Sequence, residues 1–233
     1  MIKNLLKIEK NGKFYFYFNL ILRIILILAF AASFWEQNWL NVFLSFLTFI
    51  LTFIPSFIQS RHKINLPGEI QVLIVLFLYA GIFLGGVQEF YYKFWWWSYL
   101  LHALSGLGLG LAGFLILYSL HQSGKLAVSP FLIVLFSFSF ALTMGILWEI
   151  FEFGMDSFFG FNMQKARNLE EAYGYFETRF GLLDTMWDLI LDALGALAAA
   201  AAGFLYLKKK EVFLFDKLVE KFKKNNPGLF KRG

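Results

Sequence analysis

The chain is predicted to be an all-α polytopic membrane protein, and three observations carry that expectation. Of its 233 residues 59% are hydrophobic and only 16% are charged, against about 25% charged in soluble domains. Its apolar stretches reach about 20 residues, enough to cross a ~30 Å hydrocarbon core. Its lysines gather at the two ends and in short connections, where they orient a chain in a bilayer and meet anionic lipid. The net charge of +5 therefore points to lipid and not to nucleic acid. Cysteine is absent, which removes disulfides, thiolate ligands and cysteine nucleophiles together.

Six spans follow in order: Phe14–Phe34, Trp39–Ile58, Ile70–Val87, Trp97–Leu120, Val128–Phe153 and Leu183–Leu207. They form three hairpins. Arg23 interrupts the first and is expected to snorkel to the headgroups. Ala29-Phe30-Ala31 mimics a leader cleavage site, but this span is long enough to remain a helix. Pro130 falls in a first turn, where a missing N–H is tolerated. Lys3, Lys7, Lys10 and Lys13, then Arg61, His62 and Lys63, Lys125, and Lys208–Lys210 all fall on one face of a six-crossing chain. The excess of positive charge assigns that face, and both termini, to the cytoplasm. Trp95, Trp96 and Trp97 suit an aromatic belt at the outer interface. Residues 1–210 are thus expected to form the transmembrane bundle. Residues 211–233 place Val212, Phe215, Leu218, Val219 and Phe222 at helical spacing between lysines, the pattern of a basic amphipathic helix on the cytoplasmic membrane surface.

Phe94–Leu117 aligns with Asp184–Leu207 without a gap at an offset of 90. Trp97 matches Trp187, Ala103-Leu104 matches Ala193-Leu194, and Ala112-Gly113-Phe114-Leu115 matches Ala202-Gly203-Phe204-Leu205. His102 falls on Asp192 and Ser98 on Asp188. Helices 3–4 and 5–6 then read as parallel repeats, with ligands drawn from equivalent positions. Gly106, Gly110 and Gly113, with Gly195, Ala199 and Ala202, provide small faces for close helix approach.

Ionisable residues inside these spans carry the functional reading, because a charge costs roughly 2.5–3.5 kcal/mol at mid-helix on insertion scales. Glu149, Glu152 and Asp156 share one face at i, i+3, i+7; Asp184, Asp188 and Asp192 share another at i, i+4, i+8. At 1.5 Å per residue, His102, Glu149 and Asp192 lie roughly 8, 10 and 12 Å below the outer interface. Three helices therefore bring acid and imidazole to one depth. A set of carboxylates with one imidazole suits a divalent cation: Mg²⁺, Mn²⁺, Ca²⁺ or Zn²⁺. Candidate metal ligands are His102, Glu149, Glu152, Asp156, Asp184, Asp188 and Asp192, and candidate catalytic groups are His102, Glu152 and Asp188. The loop Ser157–Gly181 offers Gln164, Lys165, Arg167 and Arg179 to a phosphate, with Gln164, Arg167 and Arg179 the candidate substrate contacts. Paired Glu-x-x-His, Gly-Lys-Ser/Thr, His-Glu-x-x-His and Gly-x-Ser-x-Gly motifs are absent, so nothing in the sequence supports the chemistries they mark.

Trp97-x-x-x-x-His102 with Ser105-Gly106, Trp148-Glu149-Ile-Phe-Glu152-Phe-x-x-Asp156, and Asp184-Thr-Met-Trp-Asp188-x-x-x-Asp192-x-x-Gly195-Ala196 resemble the YjdF-like family of inner-membrane proteins, and more distantly VanZ-like proteins. The resemblance covers the last four helices and implies the cytoplasmic membrane of a prokaryote, with no established activity. It departs from the family pattern at Ser98, where Asp often follows the Trp.

Three functions fit these residues. The first is a metal-dependent hydrolase or transferase acting on a lipid-linked or phosphorylated substrate at the outer leaflet. The second is a cation- or proton-coupled transporter, disfavoured because Leu111–Leu120, Phe131–Leu142 and Ala196–Leu207 continue no polar path. The third is a non-catalytic membrane subunit whose acids lock the helices together. Substrate, metal identity and oligomeric state are not encoded in any motif.

Overall fold

A computed structural model describes residues 13–175, 177 and 179–231. The N-terminal lysines Lys3, Lys7 and Lys10 and the last two residues of the C-terminal segment lie outside these. All regular structure among the described residues is helical, and six helical stretches are long and apolar enough to cross a membrane. They divide between two compact units, Met1–Trp97 with Leu218–Pro227 and Ser98–Lys217 with Gly228–Gly233.

In the first unit, α1 (Lys13–Trp35) packs Leu22 and Leu26 against Val75, Tyr79 and Phe83. Its other faces leave Tyr17, Ile21, Ile24 and Leu28 exposed, as a lipid-facing helix requires. The second span is not the continuous helix expected. It breaks into α2 (Trp39–Leu51) and α3 (Ile54–His62), because Pro55 in the first turn of α3 has no N–H to donate. The break corrects a second expectation. Arg23 does not snorkel; it is buried, donating from Nε to Thr52 Oγ1 at 2.9 Å and from Nη2 to the Thr52 carbonyl at 3.0 Å. Its guanidinium also lies 3.8 Å above the Phe53 ring centre.

The third span starts as α4 (Gly68–Leu78) and continues as a π-helix over Tyr79–Val87, whose i→i+5 pattern ends with Gln88 N–H on Phe83 O at 2.9 Å. The Ala80 carbonyl accepts the Trp97 indole N–H at 3.3 Å, so that ring is anchored to protein within the tryptophan belt. A short α5 (Phe90–Lys93) follows. Gly85 is required there, since a Cβ would run into the Tyr91 ring.

The second unit is built on α6 (Trp97–Gln122), α7 (Pro130–Phe159) and α9 (Phe180–Leu207), with the short α8 (Ala166–Tyr173) in the loop between α7 and α9. Ser129 caps α7 by accepting from Leu132 N–H, Pro130 occupies its first turn, and Gly160 ends it at φ +67°. Helices α6 and α9 run parallel with backbones in close approach: a Cβ on Gly106 would strike the Asp192 carbonyl, one on Gly195 the Ala103 carbonyl, and one on Gly110 the Ala199 Cβ. Gly113 differs from the expected stripe, facing Ser137 and Phe140 of α7, where Ser137 Oγ also donates to the Gly110 carbonyl at 2.6 Å. Phe114 fills the opposite end, stacked on Tyr118 and edge-on to Phe215.

The C-terminal segment forms α10 (Phe213–Asn225) and, after the break at Pro227, α11 (Pro227–Phe230). The apolar stripe of α10 turns to protein: Phe215, Val219 and Phe222 are buried, while Phe213 and Leu214 stay exposed. Within the first unit, Lys221 pairs with Glu69 and Asn226 exchanges hydrogen bonds with the Asn65 backbone.

Candidate metal centre

Three helices of the second unit deliver the polar cluster. The first half of α6 supplies Ser98, His102 and Ser105; the second half of α7 supplies Glu149 and Glu152; the first half of α9 supplies Asp184, Asp188 and Asp192. All but Ser105 are buried, with Asp188 at 0% and Asp192 at 1% exposure. The i, i+4, i+8 spacing on α9 does as the sequence predicts, placing its three aspartates on one inward face.

His102 organises the site. Its Nδ1 lies 3.0 Å from Asp192 Oδ2, the distance at which an Nδ1 proton is donated to the carboxylate. Asp192 is held from its other side by the Ser105 hydroxyl, which donates to Oδ1. The remaining ring nitrogen, Nε2, faces Asp188 Oδ2 at 3.4 Å and Glu149 Oε1 at 3.9 Å. Nε2 and one carboxylate oxygen from each of Glu149 and Asp188 all lie within 4.8 Å of one another. In the neutral ring that donates from Nδ1, Nε2 turns its lone pair to the point where the Glu149 and Asp188 oxygens converge. Asp188 Oδ1 is buried without a hydrogen-bond partner, whereas Glu149 has the Thr185 hydroxyl beside it. Buried acceptors left without a partner are costly unless something positive sits among them.

A carboxylate holding the far nitrogen of a histidine, with the near nitrogen turned to a shared point, is the outer-shell arrangement of metal sites. The donor set, two carboxylates and an imidazole, fits a hard or borderline divalent cation.

Of the seven expected ligands, the structure brings His102, Glu149 and Asp188 to that point and sets Asp192 behind the histidine. Glu152 lies one turn along α7 from Glu149; its Oε1 accepts the Trp148 indole N–H at 2.8 Å, and its Oε2 is buried without a partner. Asp184 is drawn off by the loop. Lys165 Nζ sits 2.9 and 3.0 Å from its two oxygens, 2.9 Å from Ser98 Oγ and 3.6 Å from Asp188 Oδ2. Asp156 turns away: its oxygens accept the Met163 and Gln164 backbone N–H groups at 2.7 and 3.0 Å and so fold the loop after α7.

The expected substrate contacts are spread along that loop. Gln164 donates to Thr185 Oγ1 at 3.1 Å, Arg167 is exposed and donates to the Gly160 carbonyl, and exposed Arg179 pairs with Glu177 at 2.8 Å. Lys165 is the loop residue that reaches the cluster, as partner to carboxylates and not as an open phosphate contact. Burial alone would push its ammonium down, but Asp184 and Asp188 outweigh that and hold it above the ordinary lysine value.

Sequence reasoning also missed Gly145. A Cβ there would lie 2.5 Å from Asp192 Oδ2, so only glycine lets α7 close over the His102–Asp192 pair. A glycine between Met144 and Ile146, one of two in a long apolar helix, was the available signal.

No curated protein and no solved structure matches the chain. Residues 18–209, which include all three helices of the site, match the family described as Predicted membrane protein (DUF2238). The chain belongs to this DUF2238 family of membrane proteins.

Proposed function

We propose that the second unit binds a divalent cation between His102 Nε2, Glu149 and Asp188, and uses it to act on a lipid-linked or phosphorylated substrate reached from the outer leaflet. The observation that carries this reading is the relay from Asp192 through His102. It turns Nδ1 to a carboxylate and Nε2 toward two further carboxylates, so that the neutral ring would offer its Nε2 lone pair where their oxygens converge. Mg²⁺, Mn²⁺, Ca²⁺ and Zn²⁺ are the ions these donors suit, and such an ion polarises a phosphoryl oxygen or activates a water. Glu152, buried beside Glu149 with one oxygen unpartnered, is placed to take or return the proton. Gln164, Arg167 and Arg179 lie along the loop by which an anionic substrate would enter.

The distribution of lysines supports a multi-pass protein of a prokaryotic cytoplasmic membrane with both termini inside. That arrangement opens the site to the outer leaflet. The alternative of ion-pair locking alone is disfavoured by the buried, unpartnered Oδ1 of Asp188, which a purely structural network would leave unsatisfied.

Elemental analysis of purified protein tests the centre. Wild type is expected to carry near one equivalent of a divalent metal and Asp188→Asn to lose it. Phosphate release from a panel of lipid phosphates, with added Mn²⁺ or Mg²⁺, tests the chemistry. A folded, metal-loaded protein with no turnover across the panel removes the enzymatic reading. A folded wild type that takes up no divalent ion removes the centre itself.

A further inference from the structure

We infer that the outer loop is an ion-gated cover, latched by Lys165 onto the same carboxylate that a bound cation uses. This inference rests on the cation reading above and adds the regulation of that site.

Lys165 sits in the left-handed backbone region at φ +52°, immediately before α8. A lysine gains nothing from that conformation itself, so it persists where surrounding contacts over-determine it. Its backbone N–H meets the Asn162 carbonyl at 3.2 Å, and its side chain supplies further contacts. The ammonium bonds both oxygens of Asp184 and the Ser98 hydroxyl, and lies 3.6 Å from Asp188 Oδ2. That Asp188 oxygen is also 3.4 Å from His102 Nε2 and 3.3 Å from Ser98 Oγ. One buried carboxylate is thus shared by the latch and by the cation position.

The rest of the loop depends on this hold. Asp156 pins the Met163 and Gln164 amides, Gln164 reaches Thr185, and Asn162 holds the Arg167 N–H. Lys165 stands between these anchors and α8. A divalent cation drawing Asp188 toward itself repels the ammonium beside it and weakens the latch. By reciprocity, the latched ammonium weakens the cation. Metal arrival therefore loosens the loop, and loop closure expels or excludes metal. Substrate admission becomes coupled to ion occupancy.

The test uses the full-length protein in detergent with Mn²⁺ alone as probe, comparing wild type with Lys165→Met and Lys165→Arg. Binding is read by calorimetry, and loop opening by hydrogen exchange of the amides of residues 161–175. Lys165→Met is expected to bind Mn²⁺ about tenfold tighter, within the usual range of coupling between sites. It should also exchange the loop rapidly with or without metal. In wild type, Mn²⁺ is expected to speed exchange of the loop while leaving the centre of α9 protected. Lys165→Arg keeps the charge and is expected to retain metal-dependent exchange. Wild type that binds Mn²⁺ with unchanged loop exchange, together with equal affinity in Lys165→Met, overturns the gate while leaving the metal centre standing. Absence of Mn²⁺ binding in both proteins overturns the centre and the gate with it.

Discussion

His102 hydrogen-bonds Asp192 at 3.0 Å across α6 and α9, and the two residues stand 90 positions apart. Ser98 and Asp188, bonded at 3.3 Å, share the same separation. Two parallel helices of like sequence thus bring corresponding residues face to face, one turn after another. The contact does not require the helices to be copies of one ancestor, but it explains why an ungapped alignment and the contact pattern coincide. Under the proposed cation reading it also assigns the roles: Asp192 orients, and His102 presents Nε2 to Glu149 and Asp188.

Asp192→Asn tests that assignment directly. The amide keeps the volume but carries no charge to hold a proton on Nδ1, and it can offer its NH₂ to Nδ1 and reverse the tautomer. Metal affinity is expected to fall about 10–100-fold, the usual consequence of losing an outer-shell partner. Titration of purified protein with Mn²⁺ or Zn²⁺ measures it. Unchanged affinity would show that His102 is oriented by something other than Asp192.

Gly145 predicts a steric route to the same failure. Gly145→Ala places a methyl group 2.5 Å from Asp192 Oδ2, in a buried site where overpacking typically costs about 1–3 kcal/mol. Gly108→Ala is the matched control, because nothing lies within 4 Å of its added Cβ. Alanine there gains up to about 1 kcal/mol of helix propensity. Thermal unfolding is expected to separate the two, with Gly145→Ala lowered and also impaired in metal uptake, and Gly108→Ala equal to or above wild type. Equal stability for both would mean that α7 does not close over Asp192.

What the sequence made legible follows from period and cost. Apolar runs of helical length define the spans, and i, i+4, i+8 spacing puts Asp184, Asp188 and Asp192 on one face of α9. Depth arithmetic then brings His102 and Glu149 to them. Three things were not readable. The reversal of Asp156 depends on a loop amide pair that no side-chain pattern announces. Lys165 was grouped with phosphate contacts because a lysine in a loop reads as solvated; its capture depends on the excess of buried carboxylates it meets. The break between α2 and α3 was marked by Pro55, yet an unbroken apolar run outweighed it. The consequence for Arg23, a carbonyl and hydroxyl at Thr52 waiting inside the helix pair, is a tertiary fact.

Arg23 in the first unit carries the next prediction. Its guanidinium spans two acceptors on one residue, Thr52 Oγ1 and the Thr52 carbonyl, and covers the Phe53 ring. Arg23→Gln is expected to cost about 1–3 kcal/mol, the penalty for leaving buried polar groups unpaired. Arg23→Lys is expected to recover little of it, since an ammonium lacks the planar fork. Unfolding in detergent, followed by tryptophan fluorescence, measures both. A lysine variant as stable as wild type would return Arg23 to the role of a snorkelling surface charge.

The Lys165 latch has a pH signature whose direction is fixed by its environment. Asp184 and Asp188 hold the ammonium above its ordinary value in spite of burial. A base whose folded-state value is raised contributes stability that is complete below the unfolded-state value, about 10.4, and is lost only as pH climbs through the folded-state value. Raising the pH from 7 to 10 should therefore leave the latch intact, and protection should decline only above that range. Hydrogen exchange of residues 161–175, corrected for the intrinsic acceleration by base, reads this directly against Lys165→Met, which has no titrating group and should show flat, low protection throughout. Loss of wild-type protection between pH 8 and 10 would mean that Lys165 behaves as a solvated lysine, and that the carboxylates of α9 do not hold it.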